Sequence, residues 1–436
     1  MTFEAAKDFL IRRAGERSIA AEVLATSERR LSLSVKGGSV DELTAASRGG
    51  VGIRVVVEGK VGYASTEALD TESLEWVLDE AVENAALQHA EGAVLVAGRA
   101  LGRHDLLGEG LSAEVADKVA GVLDLESGLR ADARVDVVYQ ASYRESEAQA
   151  VIGSTAGADG GYRNGYASYS ATPIMKLGDS VKQGSDVDIS KEFHALDPNQ
   201  TAHKVLERVG RHLGATPLGT GRYRGYLESE VTATLLALLL YSLSGKTLAE
   251  GKSRLAGKLG ARVASDLITL VDDPTLVDGP ASRPFDAEGT PAARTEIISG
   301  GVLQSFLHNS DTARRTGHTN TGHASRSYAS TLGVSPSNLV LATGTGIDVS
   351  DGVIVTDLMG VHAGANPISG DVSVQGLGLR VTGGETHPVD NFALSFNLFS
   401  LLERIDAVGE ESTWTPTVGM FRAPMVAVDA LSFSGA

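Results

Sequence analysis

Short runs of alternating apolar and polar residues, separated by glycines, recur along most of this chain. Alternation with a period of two is typical of a β-strand that buries one face. Glycine pairs at positions 37–38 and 49–50, and a tight Glu58-Gly59 turn, bound four such runs near the start, at residues 19–25, 31–35, 50–58 and 61–65. Because turns this short join strands that run in opposite directions, we interpret this region as an antiparallel sheet.

Helical spacing of apolar residues marks four other segments of the same half. They cover residues 3–14, 71–85, 112–129 and 198–213. Thr71 has a residue type that caps helix N-termini. Strand-like runs at 135–143 and 148–153 lie among the helices, whereas the glycines of residues 153–165 indicate a loop. The fold class is therefore α+β, with an N-terminal α/β domain in which helices cover a mainly antiparallel sheet.

The chain length and a polar, glycine-rich stretch indicate two domains. With 436 residues, the chain exceeds what one ordinary core accommodates. The stretch at 215–224 suits a boundary that few contacts cross, so we predict domains at 1–214 and 215–436. An apolar helix at 230–243 follows, and beyond residue 267 most of the sequence is strand-like. The C-terminal domain is therefore expected to be β-rich.

Composition argues against several kinds of partner. A formal net charge of −17 repels nucleic-acid phosphates and anionic lipid headgroups. The strongest apolar run, residues 235–243, is far shorter than the roughly 20 residues that cross a bilayer. The first 17 residues have no export signal, and the chain has no cysteine, as suits a reducing compartment. We expect a cytoplasmic protein that binds neither nucleic acid nor membrane.

Standard catalytic signatures do not occur in the sequence. It has no G-x-S-x-G, H-E-x-x-H or G-x-x-x-x-G-K-[ST] motif. His318 and His323 have a spacing that a metal clamp could use, but no carboxylate or thiolate lies near them in sequence, which favours a solvated loop. His362 lies among small residues that would let a ligand approach, although a loop histidine without a partner is usually inert.

Arg283-Pro-Phe-Asp-Ala-Glu-Gly-Thr-Pro291, followed by Arg294 and by Gly-Val-Leu at 301–303, resembles the FD-x-EG…GVL block of the TldD/TldE (PmbA) family. Further stretches agree in the same order, at residues 52–57, 62–65, 244–245, 258–260, 273–274 and 370–373. The resemblance covers nearly the whole chain. It implies an N-terminal α/β domain and a C-terminal β-rich, partly barrel-like domain.

The same resemblance bears on metal binding. TldD proteins hold zinc with a helical H-E-x-x-x-H motif and a later cysteine, and the glutamate activates water. Aligned on this chain, the motif places Ser229 and Thr234 at the histidine positions and Glu230 at the glutamate position. Hydroxyl groups are poor zinc ligands at neutral pH. The resemblance therefore implies a TldE-type subunit without metal or catalytic residues of its own, with zinc only in its partner.

Two interpretations stay open for each remaining candidate. Glu230 lines a groove shared with the partner, or is a first-turn glutamate favoured by the helix dipole. Asp286, Glu288 and Arg294 position a peptide, or build a buried turn. Asp371 and His362 line the substrate groove, or have a structural role.

The implied function is that of a TldE-like, non-catalytic subunit of a TldD/TldE zinc metallopeptidase that acts on unfolded or extended peptides. We weigh two alternatives. One is a homodimeric protein that binds a peptide or small molecule. The other is a metal-independent amide-processing enzyme that uses Glu230, Asp371 or His362 as acid or base. The family is also named modulator of DNA gyrase, and the charge of −17 favours an indirect effect through processed peptides.

Overall fold

The computed structural model describes residues 1–89, 92–417 and 419–435. Its N-terminal half contains an eight-stranded sheet, within the described residues. The strands are β1 (Ala20–Lys36), β2 (Ser39–Val57), β3 (Lys60–Thr66), β4 (Ala100–Leu106), β5 (Val135–Ser154), β6 (Asp159–Leu177), β7 (Ser180–Gln183) and β8 (Asp186–Ser190). The order is β3-β2-β1-β5-β6-β4, with β7 and β8 also paired to β6. All pairs are antiparallel except β4 with β6, which confirms the mainly antiparallel sheet.

Four helices cover this sheet, as predicted. They are α1 (Phe3–Glu16), α2 (Thr71–Ala86), α3 (Val115–Arg130) and α4 (Pro198–Gly210), with 3-10 turns at Glu109–Ser112 and Phe193–Ala195. Helices α1 and α2 pack on one part of the sheet, and α3 and α4 on another. The N-cap of α2 is Asp70 rather than Thr71, because the Asp70 carboxylate accepts the backbone N–H of Ser73.

The strands are longer than the sequence indicated. Runs 19–25 and 31–35 are one strand, β1, whose intervening polar residues stay paired with β2 and β5. The loop prediction for residues 153–165 is wrong beyond the turn at Gly157, because β6 begins at Asp159. A Cβ at Gly160 would lie 2.6 Å from the Leu101 side chain and 3.0 Å from the Phe285 ring. Close packing therefore requires glycine there.

The C-terminal half contains an eleven-stranded sheet, within the described residues. Its strands are β9 (Thr216–Pro217), β10 (Gly221–Leu227), β11 (Leu270–Asp272), β12 (Thr295–Ser299), β13 (Val302–Leu303), β16 (Asn338–Leu341), β17 (Gly352–Met359), β18 (Asp371–Thr382), β19 (Glu385–Asn397), β20 (Ile405–Pro416) and β21 (Met420–Ser434). A separate small pair is formed by β14 (Ala324–Ser325) and β15 (Gly333–Val334). Strands β21, β10, β17, β18 and β19 form a closed ring because β19 pairs back to β21. This closure confirms the β-rich, partly barrel-like prediction.

Helix α5 (Ser229–Leu243) supplies much of the C-terminal core. The buried leucines Leu235, Leu236, Leu239 and Leu243 pack with the strands of this half, and each contributes about 2 kcal/mol of burial free energy. The shorter helices are α6 (Gly245–Ala249), α7 (Ser310–Thr316), α8 (Val361–Gly364) and α9 (Leu398–Glu403). Among the described residues, no helix combines the length and hydropathy that a membrane crossing requires.

Candidate functional site

Two arginine–carboxylate pairs hold the β10–α5 junction against α4. Both carboxylate oxygens of Glu230, in the first turn of α5, accept hydrogen bonds from the two terminal nitrogens of Arg208. Arg211, at the end of α4, donates to the two carboxylate oxygens of Glu228 over 2.7 Å and 2.6 Å. Two-point pairs of this kind fix orientation as well as distance. They connect the last helix of the N-terminal half to the first helix of the C-terminal half.

A cavity of about 500 Å³ lies beside the Arg208–Glu230 pair. Its lining includes residues of β8 and of the end of β20, among them Asp186 and Trp414. The Asp186 carboxylate lies 3.7 Å from the Arg208 guanidinium. Burial raises the pKa of Asp186, and the Arg208 charge opposes that rise. The cavity is therefore a polar cleft between the two sheets.

His212 lines this cleft as a neutral ring that donates one hydrogen bond. The Thr356 hydroxyl donates its one proton to the Leu377 carbonyl oxygen at 3.1 Å, so it accepts from His212 Nε2, which is also 3.1 Å away. His212 Nδ1 is then unprotonated, and it has no hydrogen-bond partner among the described residues. Burial, together with the positive charge of Arg211, lowers the pKa of His212 to about 4. At neutral pH the ring carries no charge.

The residues at the aligned motif positions do not fit a zinc ion. The Thr234 hydroxyl donates to the backbone carbonyl oxygen of Glu230 at 2.8 Å. Ser229 offers another hydroxyl, and both oxygens of the Glu230 carboxylate are bound by Arg208. Zinc in proteins requires imidazole, thiolate or carboxylate ligands. Two hydroxyls and a carboxylate already held by a guanidinium do not meet that requirement.

Among the described residues, one group of three carboxylates is close enough to share an ion: Glu4, Asp8 and Asp159. The Lys7 ammonium contacts all three, at 3.2 Å from Glu4, 2.9 Å from Asp8 and at a shorter hydrogen bond to Asp159. This side chain is 3% exposed, and its carboxylate neighbours raise its pKa against the opposing effect of burial. The cluster is therefore an ion-pair network in which the Lys7 ammonium occupies the space between the three carboxylates.

Asp286 of the FD-x-EG block lies inside a tight turn. One carboxylate oxygen accepts the backbone N–H groups of Glu288 and Thr290, each at 2.9 Å, and the other accepts that of Ala324 at 3.0 Å. The side chain is 2% exposed, and burial raises its pKa. These contacts are those of a residue that organises the loop.

Glu288 reaches the first sheet and joins a buried ion network there. Its carboxylate lies 3.0 Å from Arg54 on β2 and accepts the backbone N–H of Ser310 at 2.9 Å. Arg54 also lies 3.7 Å from Glu22 on β1, which accepts from Arg326 at 2.7 Å. Burial and the charge of Glu22 together raise the pKa of Glu288 to about 7, against the opposing charge of Arg54. The network crosses the interface between the two halves.

The other candidates lie away from this cleft. Arg294 precedes β12, is exposed, and is 3.9 Å from Glu296. His362 is an exposed residue of the short helix α8. Asp371 begins β18 and accepts from the Asn397 side chain at 2.9 Å, a hydrogen bond that lowers its pKa. The structure therefore places none of these three beside Glu230.

His318 and His323 have different partners. His323 is buried, and its Nε2 lies 3.0 Å from the Asp272 carboxylate. His318 stacks on His308, with ring centroids 5.2 Å apart, and its Nδ1 is 2.9 Å from the Thr316 hydroxyl. The structure therefore does not direct this pair of histidines at a common ligand.

Sequence reasoning missed Arg208, His212 and Arg54. Arg208 lies on the helix predicted at 198–213, and the alternation of the first sheet assigns Arg54 to a strand. The sequence contained one signal, a charged residue, Arg54, within the apolar run 51–57. A charge in a buried strand requires a partner of opposite charge. No short-range pattern indicates which residue that partner is.

The fold and the cleft define a two-sheet α+β protein. Its two halves are joined where Arg208 and Arg211 bind the carboxylates at the start of α5. Three family models match in order: PmbA/TldA metallopeptidase domain 1 at residues 21–85, the central domain at 109–213 and the C-terminal domain at 220–435. The chain belongs to the TldD/TldE (PmbA) family of metallopeptidases, which confirms the resemblance found in the sequence.

Similar proteins span nearly its whole length. Metalloprotease PmbA of Escherichia coli O157:H7 is 27% identical over 408 residues, covering 91% of this chain and 89% of that protein. A crystal structure from Thermotoga maritima, described as a candidate modulator of a DNA gyrase, is 26% identical with a TM-score of 0.87, covering 99% and 100% of the two chains. TldE from Thermococcus kodakarensis shares the fold, with a TM-score of 0.89 at 21% identity and the same coverage.

Proposed function

We propose that this chain is a TldE-type, non-catalytic subunit of a heteromeric metallopeptidase whose zinc is held by a TldD-type partner. The observation that carries the proposal is the ion pair between Arg208 and Glu230. A general base must accept a proton from water within hydrogen-bond reach. Both oxygens of this carboxylate are already bound by Arg208, and the flanking positions offer hydroxyls.

The cleft beside that pair suits a role in holding substrate. It has a volume of about 500 Å³ and opens between strands of the two halves. An extended peptide binds such a surface chiefly through its main chain, with limited side-chain selectivity. We propose unfolded or extended peptides as the substrate class, shared between this cleft and the zinc site of the partner.

We also propose a compartment, a domain division and a relation to DNA gyrase. We place the complex in the cytoplasm and divide the chain into domains 1–214 and 215–436. The net charge of −17 supports an indirect relation to DNA gyrase through processed peptides.

The test compares the chain alone with the chain mixed with the TldD-type protein from the same source. Zinc content is measured by mass spectrometry, association by co-elution, and cleavage with an unfolded protein substrate. We expect the chain alone to be zinc-free and inert, and the mixture to co-elute and cleave in a chelator-sensitive way. Stoichiometric zinc in the chain alone, or unaided cleavage, would refute the proposal.

A pair of variants makes the test specific to the site. Glu230→Gln removes the only carboxylate at the aligned motif positions, and Glu228→Gln alters the neighbouring arginine pair in the same way. The proposal predicts that both mixtures keep similar activity. If Glu230→Gln alone abolishes cleavage, this chain supplies the base.

A further inference from the structure

A second cavity lies between the two halves, next to the polar cleft. It has a volume of about 1010 Å³, and its lining comes from the ends of β4 and β8, the loop after β11 and Trp414 of β20. Trp414 also lines the cleft beside Glu230, so the two spaces are neighbours. Strand β8 extends from one to the other, because Asp186 lines the cleft and Ile189 lines the second cavity.

Apolar side chains supply much of the lining of the second cavity. They include Leu106, Ile189, Val277 and Trp414. Val277 is 91% exposed, and Trp414 is half-buried. A ligand that covers such side chains removes apolar surface from water, which favours binding. The cavity therefore suits a ligand with an apolar group.

Two cations line the same cavity without a carboxylate in direct contact. The Lys191 ammonium is 3.4 Å from the Val277 carbonyl oxygen, and Arg283 Nη2 is 3.3 Å from the Ser335 carbonyl oxygen. No carboxylate among the described side chains forms an ion pair with either cation. Both side chains are half-buried. Cations in this state bind a carboxylate through charge-assisted hydrogen bonds.

The acidic residues of the cavity have other partners. Asp105 pairs with Arg163 at 3.1 Å, and Asp278 pairs with Arg422 at 3.2 Å. The Glu192 carboxylate accepts a backbone N–H group at 3.1 Å. In a chain with a net charge of −17, two cations without a direct carboxylate partner are a local departure from the overall charge. The cavity therefore favours an anionic ligand.

We propose that the second cavity binds the C-terminal residue of an extended peptide. The terminal carboxylate lies at Lys191 and Arg283, and the last side chain, which is apolar, packs against Val277 and Trp414. The neighbouring positions of the cations and the apolar wall select this occupant, because only the last residue of a peptide carries both a carboxylate and an apolar side chain. The inference rests on the proposed function, in which the preceding residues of the peptide lie in the cleft beside Glu230.

Strand β8 gives the length and direction of the bound peptide. Within the described residues β8 pairs with β6 alone, so its other edge is free to accept main-chain hydrogen bonds. From Asp186 to Lys191 the chain rises by roughly 17 Å, at about 3.3 Å per residue. A peptide of about six residues that runs parallel to β8 spans that distance. Its first residues then lie in the cleft and its carboxylate reaches Lys191.

The first test measures affinity by isothermal titration calorimetry on the chain alone. The probe is an acetylated six-residue peptide of alanine and threonine that ends in leucine, used as the free acid and as the C-terminal amide. We expect the free acid to bind about tenfold more tightly, because the amide lacks the charge that both cations contact.

Variants of the two cations assign that preference to the cavity. Lys191→Met and Arg283→Met should each reduce it, and the double variant should abolish it without weakening the binding of the amide. Arg283→Lys, which keeps the charge, should retain most of it. Lys258→Met, at an exposed lysine outside the cavity, is the matched control and should retain all of it. Circular dichroism checks that each variant is folded.

The second test locates the peptide. The chain has two tryptophans, and Trp76 lies on α2, so in a Trp76→Phe variant the fluorescence comes from Trp414 alone. We expect the free-acid peptide to change that fluorescence. Val277→Asp places a negative charge on the exposed wall and should weaken binding of the free acid about tenfold.

Four outcomes would overturn the inference. They are equal affinities for acid and amide, an equal effect of Lys191→Met and Lys258→Met, binding that leaves Trp414 fluorescence unchanged, and equally tight binding of an amidated peptide with an internal aspartate. The last would assign the cations to acidic side chains. Binding is measured without zinc or partner. Unaided cleavage would therefore refute only the proposed function, and loss of the acid preference in a chain that still supports cleavage would refute only this inference.

Discussion

Replacing Asp286 by alanine is expected to destabilise the chain strongly, even though the residue belongs to a family motif. The carboxylate accepts three backbone N–H groups at 2.9–3.0 Å, and its side chain is 2% exposed. A buried donor that loses its acceptor costs about 1–3 kcal/mol. With partial relaxation of the loop, we expect the free energy of unfolding to fall by about 4 kcal/mol.

The assay is urea denaturation followed by tryptophan fluorescence, with two further variants. Asp286→Asn keeps the oxygen that accepts from Glu288 and Thr290, so we expect it to lose about 1–2 kcal/mol. Asp266→Ala, at an exposed aspartate of the same half, should change stability by less than about 0.5 kcal/mol. If Asp286→Ala is as stable as that control but abolishes cleavage by the complex, Asp286 acts on substrate and our reasoning is wrong.

Three other predictions follow from the structure. The pKa of Glu288 is raised from 4.5 to about 7, so between these pH values the folded chain holds a proton on Glu288 that the unfolded chain releases. The free energy of unfolding should therefore fall by about 3 kcal/mol as the pH rises from 4.5 to 7. In a urea-denaturation pH series, Glu288→Gln should flatten that part of the curve. A Cβ at Gly52 would lie 1.9 Å from the Tyr328 carbonyl oxygen, so Gly52→Ala should cost at least about 2 kcal/mol in thermal unfolding, whereas Gly15→Ala, in a helix with no atom within 4 Å, should gain about 0.5–1 kcal/mol. Glu230→Gln should leave zinc content and cleavage of the mixed complex unchanged; a loss of either would contradict the non-catalytic assignment.

The fold was largely predictable because its signals are local. In the first sheet, alternation of apolar residues identified β1, β3, β5 and the end of β2 but not β4, β6, β7 or β8. Helical spacing identified all four helices that cover this sheet. Strand continuity was not predictable at Gly49 and Gly50, which lie within β2. A Cβ at Gly50 would lie 2.6 Å from the Tyr328 ring, which is distant in sequence. A glycine required by such a contact has the same appearance in sequence as a glycine required by a turn.

The candidate site was predictable only at its helix start. The resemblance located Glu230, but its partner Arg208 lies on another helix, α4, 22 positions earlier in the chain. Arg54 and Glu288 are 234 positions apart and meet across the two sheets. Periodicity reports which face of an element is buried, and it carries no information on which distant side chain neutralises a buried charge.

The buried ion network has a consequence for the order in which the chain folds during synthesis. Glu22 and Arg326, which form one of its pairs, are separated by 304 positions. At ribosomal rates of about 5–20 residues per second, roughly 15–60 s pass between the synthesis of one and the arrival of the other. During that interval the nascent first sheet exposes Glu22 and Arg54 without their C-terminal partners, together with the surface that the FD-x-EG loop later covers. We expect the N-terminal half to remain open to chaperones until that loop leaves the ribosome, and a chain truncated before residue 283 to aggregate rather than accumulate as a stable domain.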